Sequence, residues 1–265
     1  MKMRLFALLL TVWCPAKVHA LEIIAHRGAS YDAPENTLAA LKLGWQQNAD
    51  ACELDIHLSK DGQVVLSHDA STRRITGVDK AVAAQTLAEL RDLDAGRWKG
   101  PQWAGEKMPA LAEALATIPE GKRMFIEIKC GPEVLPELER VIAASGRKPG
   151  QLVIIGFNYA TMQQAKQRFP QVPVFWLHSA EADKKTRHIP SLDELIEKTR
   201  AAGLDGLNLN FKFPIDAAFV EKVHGAGLKL YVWTVDDAPI ARNLAAAGVD
   251  GITTNRPEWL RQELR

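Results

Sequence analysis

Short apolar runs alternate with amphipathic stretches along most of the chain, and this alternation limits the possible folds more than any other feature. Nine runs have the length and composition of β-strands: 22–25, 51–56, 64–66, 124–128, 152–155, 172–177, 206–209, 229–233 and 251–253. Six stretches have helical periodicity: 37–47, 133–144, 159–168, 191–202, 217–226 and 239–247. Strands that alternate with helices are typical of repeated βαβ units and a parallel sheet.

The third predicted strand cannot be a parallel neighbour of the second. Only a short segment containing Asp61-Gly62, a strong turn signal, separates 51–56 from 64–66. A parallel crossover needs a dozen or more residues, so this pair is predicted to form an antiparallel hairpin. Eight parallel strands remain, and no glycine fingerprint for a dinucleotide follows the first. The sequence therefore predicts a (β/α)₈ TIM barrel, with a small helical insertion at about 70–110 that caps its mouth.

The N-terminus has the features of a secretory signal peptide. Lys2 and Arg4 precede the apolar run 5–12, and Val18-His19-Ala20 provides small residues for a signal peptidase. This run is too short to span a bilayer, so we expect no stable membrane insertion. We predict that residues 1–20 are removed, that 21–265 form the barrel domain, and that the protein is exported to the periplasm or secreted.

The net charge of the chain limits the classes of partner that it can bind. The formal net charge is +1 and no basic stripe appears, so nucleic acid is not expected as a partner.

Removal of the leader would leave Cys52 and Cys130, and an oxidising compartment would permit a disulfide bridge between them. If Glu53 and Glu127 lie level, the two cysteines are about four residues, or roughly 13 Å, apart along their strands, so we expect two free thiols packed under helices.

Polar residues gather where the predicted strands end, which is where TIM barrels hold their active sites. They are His26, Arg27, Glu53, Asp55, His68, Glu127, Lys129 and Trp233. A two-residue turn at Asp61-Gly62 would place His68 opposite Asp55, and a slightly longer loop would place it opposite Glu53. Either register brings His68 beside the acidic pair of the second strand.

Glu53, Asp55 and Glu127 are predicted to form an inward-facing cluster of acids on neighbouring strands. Three uncompensated carboxylates would be costly to bury, so a hard divalent cation is the natural neutraliser, and the all-oxygen set favours Mg²⁺ or Ca²⁺ over zinc. An alternative remains open at this stage: Arg27 and Lys129 could neutralise these acids through salt bridges without any metal. Each histidine and Trp233, taken alone, is also compatible with a structural role.

Six motifs together resemble the glycerophosphodiester phosphodiesterase family in order and spacing, over about residues 22–260. They are His26-Arg27-Gly28, Pro34-Glu35-Asn36-Thr37, Glu53-Leu54-Asp55, His68-Asp69, Ile126-Glu127-Ile128-Lys129 and Val232-Trp233-Thr234-Val235. The resemblance implies a metal-dependent hydrolase that cleaves compounds such as glycerophosphocholine or glycerophosphoethanolamine to glycerol 3-phosphate and an alcohol.

The resemblance also implies a role for each residue of the site. It assigns the metal to Glu53, Asp55 and Glu127, the acid–base pair to His26 and His68, phosphate binding to Arg27 and Lys129, and the glycerol side to Trp233. Asn255 departs from the family, which often has aspartate there, and we interpret that position as structural.

Among the two histidines, we expect His26 to be the base, because Arg27 and the metal favour its neutral form, and His68 to be the acid. The nucleophile is either water or the glycerol hydroxyl of the substrate, and the sequence leaves both open. Two other functions also stay open: a phospholipase of the same barrel class, for which Trp98 and Trp103 are the only hint of a lipid-facing rim, and an exported protein that binds phosphodiesters without cleaving them.

Overall fold

The computed structural model describes residues 21–182 and 188–265, so the predicted signal peptide at 1–20 lies outside the described residues. The strands are β1 (Glu22–Ala25), β2 (Ala51–Leu58), β3 (Val64–Leu66), β4 (Arg123–Ile128), β5 (Leu152–Gly156), β6 (Val174–His178), β7 (Gly206–Asn210), β8 (Lys229–Trp233) and β9 (Gly251–Thr254). The helices are α1 (Leu38–Gln46), α2 (Arg73–Thr76), α3 (Leu87–Asp92), α4 (Leu111–Ala116), α5 (Leu135–Ser145), α6 (Tyr159–Arg168), α7 (Leu192–Ala201), α8 (Ala217–Gly225), α9 (Ala238–Ala247) and α10 (Pro257–Glu263).

Eight parallel strands close into a barrel. The order is β1-β2-β4-β5-β6-β7-β8-β9, and β9 pairs again with β1, so the sheet has no free edge within the barrel. β3 pairs antiparallel with the outer end of β2 and stands outside the ring. The predicted TIM barrel is confirmed, and so is the hairpin that follows its second strand.

Alternation of side chains along the strands separates two hydrophobic cores. Residues such as Leu54 and Ile126 point outward and pack against the ring of helices. Phe125, Phe175 and Tyr231 point inward, with ring centroids 5.0–6.3 Å apart. These three rings fill the barrel interior, and burial of each contributes roughly 1.5–3 kcal/mol. The barrel is thus packed below the polar residues at its carboxyl ends.

The segment between β3 and α4 has a hydrophobic cluster of its own. Val65, Ile75, Val82, Leu90 and Met108 are its principal buried residues, and α2 and α3 lie within this segment. Nζ of Lys99 donates a hydrogen bond to the backbone oxygen of Ser30, in the loop after β1. This contact ties the segment to the loop that follows the first barrel strand.

Cys52 and Cys130, the two cysteines of the described residues, are free, as predicted. Cys52 is fully buried on the outer face of β2, where Sγ lies 3.7 Å from the backbone oxygen of Leu41 in α1. The pairing of β2 with β4 sets Cys52 beside Met124, so Cys130 is six residues further along its strand. The separation of the two cysteines along the strands is therefore even larger than the four residues expected from the sequence. Among the described residues, no helix is both long and apolar enough to cross a bilayer.

Candidate active site

A pocket of about 170 Å³ opens at the carboxyl ends of the barrel strands. It is lined by His26, Arg27, Glu53, His68, Glu127, Lys129, Ile155, Phe157, Leu177, Asn208, Trp233, Thr234 and Thr253. Seven of the eight site residues predicted from the sequence are in this lining. The eighth, Asp55, is fully buried and belongs to the acidic cluster that the pocket contains.

Glu53, Asp55 and Glu127 each place a carboxylate oxygen within 4.8 Å of the others. β2 and β4 pair so that Asp55 lies beside Glu127, while Glu53 lies beside Phe125, two residues nearer the middle of the barrel. The side chain of Glu53 is longer than that of Asp55, so its carboxylate still reaches the other two. Oε1 of Glu53 and Oδ1 of Asp55 are buried without a hydrogen-bond partner. Two unsatisfied anionic oxygens in one cluster fit the oxygen ligand set of a hard divalent cation.

Electrostatics of the cluster also favour a bound positive charge. Burial, and then the charges of Asp55 and Glu127, raise the pKa of Glu53 well above its ordinary value. Burial, and then the charge of Asp55, likewise raise the pKa of Glu127. Both shifts mean that the carboxylates repel one another when they are all ionised. A bound cation would relieve this repulsion.

Arg27 and Lys129 contact the acids but do not satisfy them all. Nε of Arg27 lies 3.2 Å from Oδ2 of Asp55, and Nζ of Lys129 lies 2.8 Å from Oε1 of Glu127 and 3.7 Å from Oδ1 of Asp55. Arg27 shares its charge with a fourth acid, Glu35, through a 3.0 Å contact from Nη1. The salt bridges considered from the sequence therefore exist for Asp55 and Glu127, but none is formed to Glu53 within the described part of the chain, and the unsatisfied oxygens show that neutralisation is incomplete.

The turn after β1 explains the His26-Arg27-Gly28 motif. Arg27 has a φ of 55°, in the left-handed region, and its backbone N–H donates to Oε2 of Glu53 at 2.8 Å. Gly28 also has positive φ, and a Cβ there would lie 2.4 Å from the backbone carbon of Ala40 in α1. Only glycine fits this contact. The close approach of α1 thus holds Arg27 over the acidic cluster.

Asn36 holds the buried acid Asp55 from the other side. Its Nδ2 donates to Oδ2 of Asp55 at 2.8 Å, and its Oδ1 accepts from the backbone N–H of Asp55 at 3.0 Å. Asn36 has a φ of 57°, which asparagine tolerates better than most residues. Asn36 belongs to the Pro34-Glu35-Asn36-Thr37 motif, but its sequence position alone predicts no role in the site. The two-sided contact gives it one, because it orients a candidate metal ligand.

The two histidines have different surroundings. Nδ1 of His26 lies 2.7 Å from Oδ1 of Asn255, whereas Nδ1 of His68 lies 2.6 Å from a carboxylate oxygen of Asp69. Burial, and then the charge of Arg27, lower the pKa of His26 to about 4. His26 is therefore neutral near pH 7. This agrees in direction with the expectation that Arg27 favours the neutral ring, although burial is the larger cause.

A chain of ionic contacts connects His68 to Arg27. Asp69, the partner of His68, accepts a 2.6 Å hydrogen bond from Nε of Arg74 in α2. Both terminal nitrogens of Arg74 donate to Glu35, at 2.7 and 3.0 Å, and Glu35 in turn contacts Arg27. The contacts with Arg74 and His68 lower the pKa of Asp69 to about 2, against the opposing effect of partial burial. Arg74 was not predicted as a site residue, because nothing in its local sequence indicates what it contacts.

One predicted detail of the hairpin is wrong. β2 and β3 pair Ile56 with Leu66, so Asp55 faces Ser67 and not His68, and neither predicted register occurs. Residues 60–62 form a three-residue loop, in which Gly62 has a φ of 75° and donates its N–H to the oxygen of Ser59. The one-residue difference changes the strand partner of His68. His68 still reaches the pocket, because it follows the end of β3.

The opposite wall of the pocket is largely apolar. Its apolar residues are Ile155, Phe157, Leu177 and Trp233, from β5, β6, β8 and the loop after β5. The rings of Phe157 and Trp233 meet edge to face, with centroids 5.5 Å apart. Nε1 of Trp233 donates to the backbone oxygen of Asn208 at 3.0 Å, which holds the indole in place. A ligand here would have a charged side and an apolar side.

Asn255 contacts His26 directly. The interpretation of Asn255 as a structural residue did not predict this contact. Ser30 donates to the same Oδ1 at 2.9 Å, and Asp236 accepts from both the amide nitrogen and the backbone N–H of Asn255. The contacts with His26 and Ser30 join the loop after β9 to the loop after β1. No local pattern in the sequence indicates these two contacts, because each connects residues more than 200 positions apart.

Comparison with known proteins identifies the family of the chain. The model of the glycerophosphoryl diester phosphodiesterase family matches residues 26–259. A glycerophosphodiester phosphodiesterase from Caldanaerobacter subterraneus is 34% identical, over 90% of this chain and 95% of the relative. One from Bacillus subtilis is 31% identical, over 89% of this chain and 83% of its own length. A phosphodiesterase from Oleispira antarctica, solved in complex with the product sn-glycerol-3-phosphate, superimposes with a TM-score of 0.83 at 32% identity, covering 92% and 96% of the two chains. The chain belongs to the glycerophosphoryl diester phosphodiesterase family.

Proposed function

We propose that this member of the glycerophosphoryl diester phosphodiesterase family is a metal-dependent enzyme that hydrolyses glycerophosphodiesters to glycerol 3-phosphate and an alcohol. One observation carries the proposal: a single pocket has two basic side chains and two histidines opposite an apolar wall, and two of the three clustered acids line it while the third, Asp55, is buried beside them. The Oleispira antarctica protein, with glycerol 3-phosphate as its product, supports the same chemistry. Glycerophosphocholine and glycerophosphoethanolamine are the substrates we would test first.

Binding of the phosphodiester would use the charged side of the pocket. Arg27 retains N–H groups for a planar, two-pronged contact to phosphate, and Lys129 supplies a compact charge. Glu53, Asp55 and Glu127 would hold Mg²⁺ or Ca²⁺, which would offset negative charge that develops on the phosphoryl oxygens. Trp233 would contact the glycerol carbons on the apolar side.

Proton transfer would be divided between the histidines. His26, neutral near pH 7, would accept the proton of the nucleophile as that oxygen attacks phosphorus. The bond from phosphorus to the alcohol oxygen breaks, and His68 would donate a proton from Nε2 to that oxygen while Asp69 accepts from Nδ1. If the substrate's own hydroxyl attacks, a cyclic phosphate appears first, and ³¹P NMR during turnover would detect it.

The proposed activity is tested by release of glycerol 3-phosphate from glycerophosphocholine by the chain 21–265, with and without chelator. We expect release that stops with chelator and returns with Mg²⁺ or Ca²⁺. No release with any divalent metal would contradict the proposal and favour binding without cleavage, or an intact phospholipid as substrate. A His26→Ala variant that keeps nearly full turnover would contradict the two-histidine scheme alone.

We also propose export, supported by the charged start, apolar run and small residues of 1–20. Expression of the full chain in a bacterium, followed by N-terminal sequencing of the extracytoplasmic protein, tests this. We expect Leu21 as the first residue. A cytoplasmic protein that retains Met1 would contradict it.

A further inference from the structure

The two ring nitrogens of His26 are not equivalent. Nδ1 lies 2.7 Å from Oδ1 of Asn255, whereas Nε2 has no hydrogen-bond partner in the described part of the chain. The ring lines the pocket, so Nε2 is the nitrogen available to a ligand. Which nitrogen carries the proton therefore decides whether His26 can act as a base towards that ligand.

The orientation of the Asn255 amide follows from its other neighbour, Asp236. A carboxylate can only accept hydrogen bonds, so the NH₂ group of Asn255 must face the carboxylate of Asp236. The backbone N–H of Asn255, at 2.9 Å, and the hydroxyl of Thr254, at 2.7 Å, donate to the second carboxylate oxygen and hold it in place. The amide carbonyl then points at His26 and at the hydroxyl of Ser30.

A carbonyl oxygen accepts hydrogen bonds and cannot donate them, so Nδ1 of the neutral His26 ring must carry the proton. We propose that Asp236, acting through Asn255, locks His26 in the Nδ1–H tautomer and leaves the lone pair on Nε2 to receive a proton. Asp236 and Asn255 are thus positioning residues. The tautomer follows from the contacts alone, and its effect on turnover rests on the proposed function.

The two histidines differ in a way that matches this inference. Nδ1 of His68 faces the carboxylate of Asp69 directly, whereas Nδ1 of His26 faces a neutral amide with the carboxylate of Asp236 behind it. A direct carboxylate partner stabilises a protonated ring more than an amide does. The amide therefore orients His26 while favouring its charged form less than a directly facing carboxylate would, which suits a base.

Exchange of the two side chains provides the sharpest test. In N255D alone, two carboxylates would face each other, and we expect kcat to fall at least about tenfold, with KM changed less than about twofold, because the base is misplaced after substrate binds. In the double variant N255D/D236N, the carboxylate would accept from His26 and the new amide would donate to it. We expect kcat to return to within about fivefold of wild type.

Asp236→Ala removes the constraint on the amide, and Asp237→Asn is the matched control. Asp237 is adjacent and caps α9 through its side chain, a role that asparagine can keep. ¹⁵N NMR of the His26 imidazole should show the Nδ1–H tautomer in wild type, Asp237→Asn and the double variant, and a mixture of tautomers in Asp236→Ala. Circular dichroism would check that each variant is folded.

An unchanged tautomer and unchanged kcat in Asp236→Ala would overturn the inference. So would a double variant no better than N255D. If wild type itself releases no glycerol 3-phosphate from glycerophosphocholine, the proposed function fails, while the NMR arm still tests the tautomer. The two failures are therefore distinguishable.

Discussion

Replacement of Glu127 by glutamine should make the metal-free protein more stable above neutral pH, although it removes a candidate metal ligand. Burial and the charge of Asp55 raise the pKa of Glu127 from 4.5 to about 7. Between these two pH values, the folded protein keeps a proton that the unfolded chain has lost. The free energy of unfolding of the metal-free protein therefore falls as pH rises from about 4.5 through 7.

The size of this effect can be worked out in two ways. At about 1.4 kcal/mol for each tenfold difference in proton affinity, the shift corresponds to about 3 kcal/mol. Two unit charges at the 4.8 Å limit of the cluster repel by about 3.5 kcal/mol at an effective dielectric constant of about 20. Glutamine removes this repulsion and also the 2.8 Å ion pair with Lys129. We therefore expect a net gain of about 1–3 kcal/mol at pH 8.

Urea unfolding of wild type and Glu127→Gln, with chelator at pH 5 and pH 8, measures the effect. Wild type should lose stability between the two pH values, and the variant should lose clearly less. Excess Mg²⁺ or Ca²⁺ should then reverse the order at pH 8, because a ligand at a hundred times its Kd stabilises by about 2.7 kcal/mol and the variant binds it more weakly. Glu120→Gln, in the exposed turn before β4, is the matched control.

Two results would refute this reasoning. An equal loss of stability with pH in wild type and Glu127→Gln would mean that the Glu127 carboxylate carries no penalty when folded. Equal stabilisation of both proteins by the divalent cation would mean that Glu127 is not a ligand. The Glu120→Gln control should match wild type in both experiments.

Three further predictions concern the residues around the cluster. In an NMR titration with chelator, the ring of His26 should stay neutral down to about pH 4, because burial and Arg27 oppose its charge; a midpoint near 6.5 would contradict this. Arg74→Met should lower kcat/KM roughly tenfold by breaking its charged hydrogen bonds, whereas Arg73→Met, at a highly exposed neighbour, should not; equal effects would argue against the ionic chain. Trp233→Ala should raise KM roughly tenfold and Trp233→Phe much less, and an unchanged KM in both would remove Trp233 from the substrate side.

The barrel could be predicted well because its signals are local and repeated. Strand boundaries from the sequence lie within two residues of those observed; β6, for example, begins at Val174 rather than at residue 172. Strong alternation also predicted which side chains of β2 and β4 face inward, and hence the acidic cluster. α4 and α10 were not predicted, since both are short and give little room for a periodic pattern.

The errors concern contacts between loops. The hairpin register depended on a turn type, and Asp61-Gly62 is compatible with a loop of two or three residues. The contact of Asn255 with His26 depends on how two loops meet after the barrel closes, which no local periodicity encodes. In both cases the sequence identified residues near the site, while their partners depend on the folded structure.

The distribution of charge around the pocket has a consequence for how this protein can be altered. Among the described residues, every charged or titratable side chain that lines the pocket at the carboxyl ends of the barrel strands lies between His26 and Lys129, and the apolar lining runs from Ile155 to Trp233. The charged groups and the apolar groups that line this pocket are thus encoded in separate stretches of the gene, and Asp236 and Asn255, which contact His26 or its partner, follow the apolar stretch. A library confined to codons 155–233 would vary the shape of the pocket while leaving its acids, cations and histidines in place. New substrate preferences can therefore be sought by varying residues 155–233 alone.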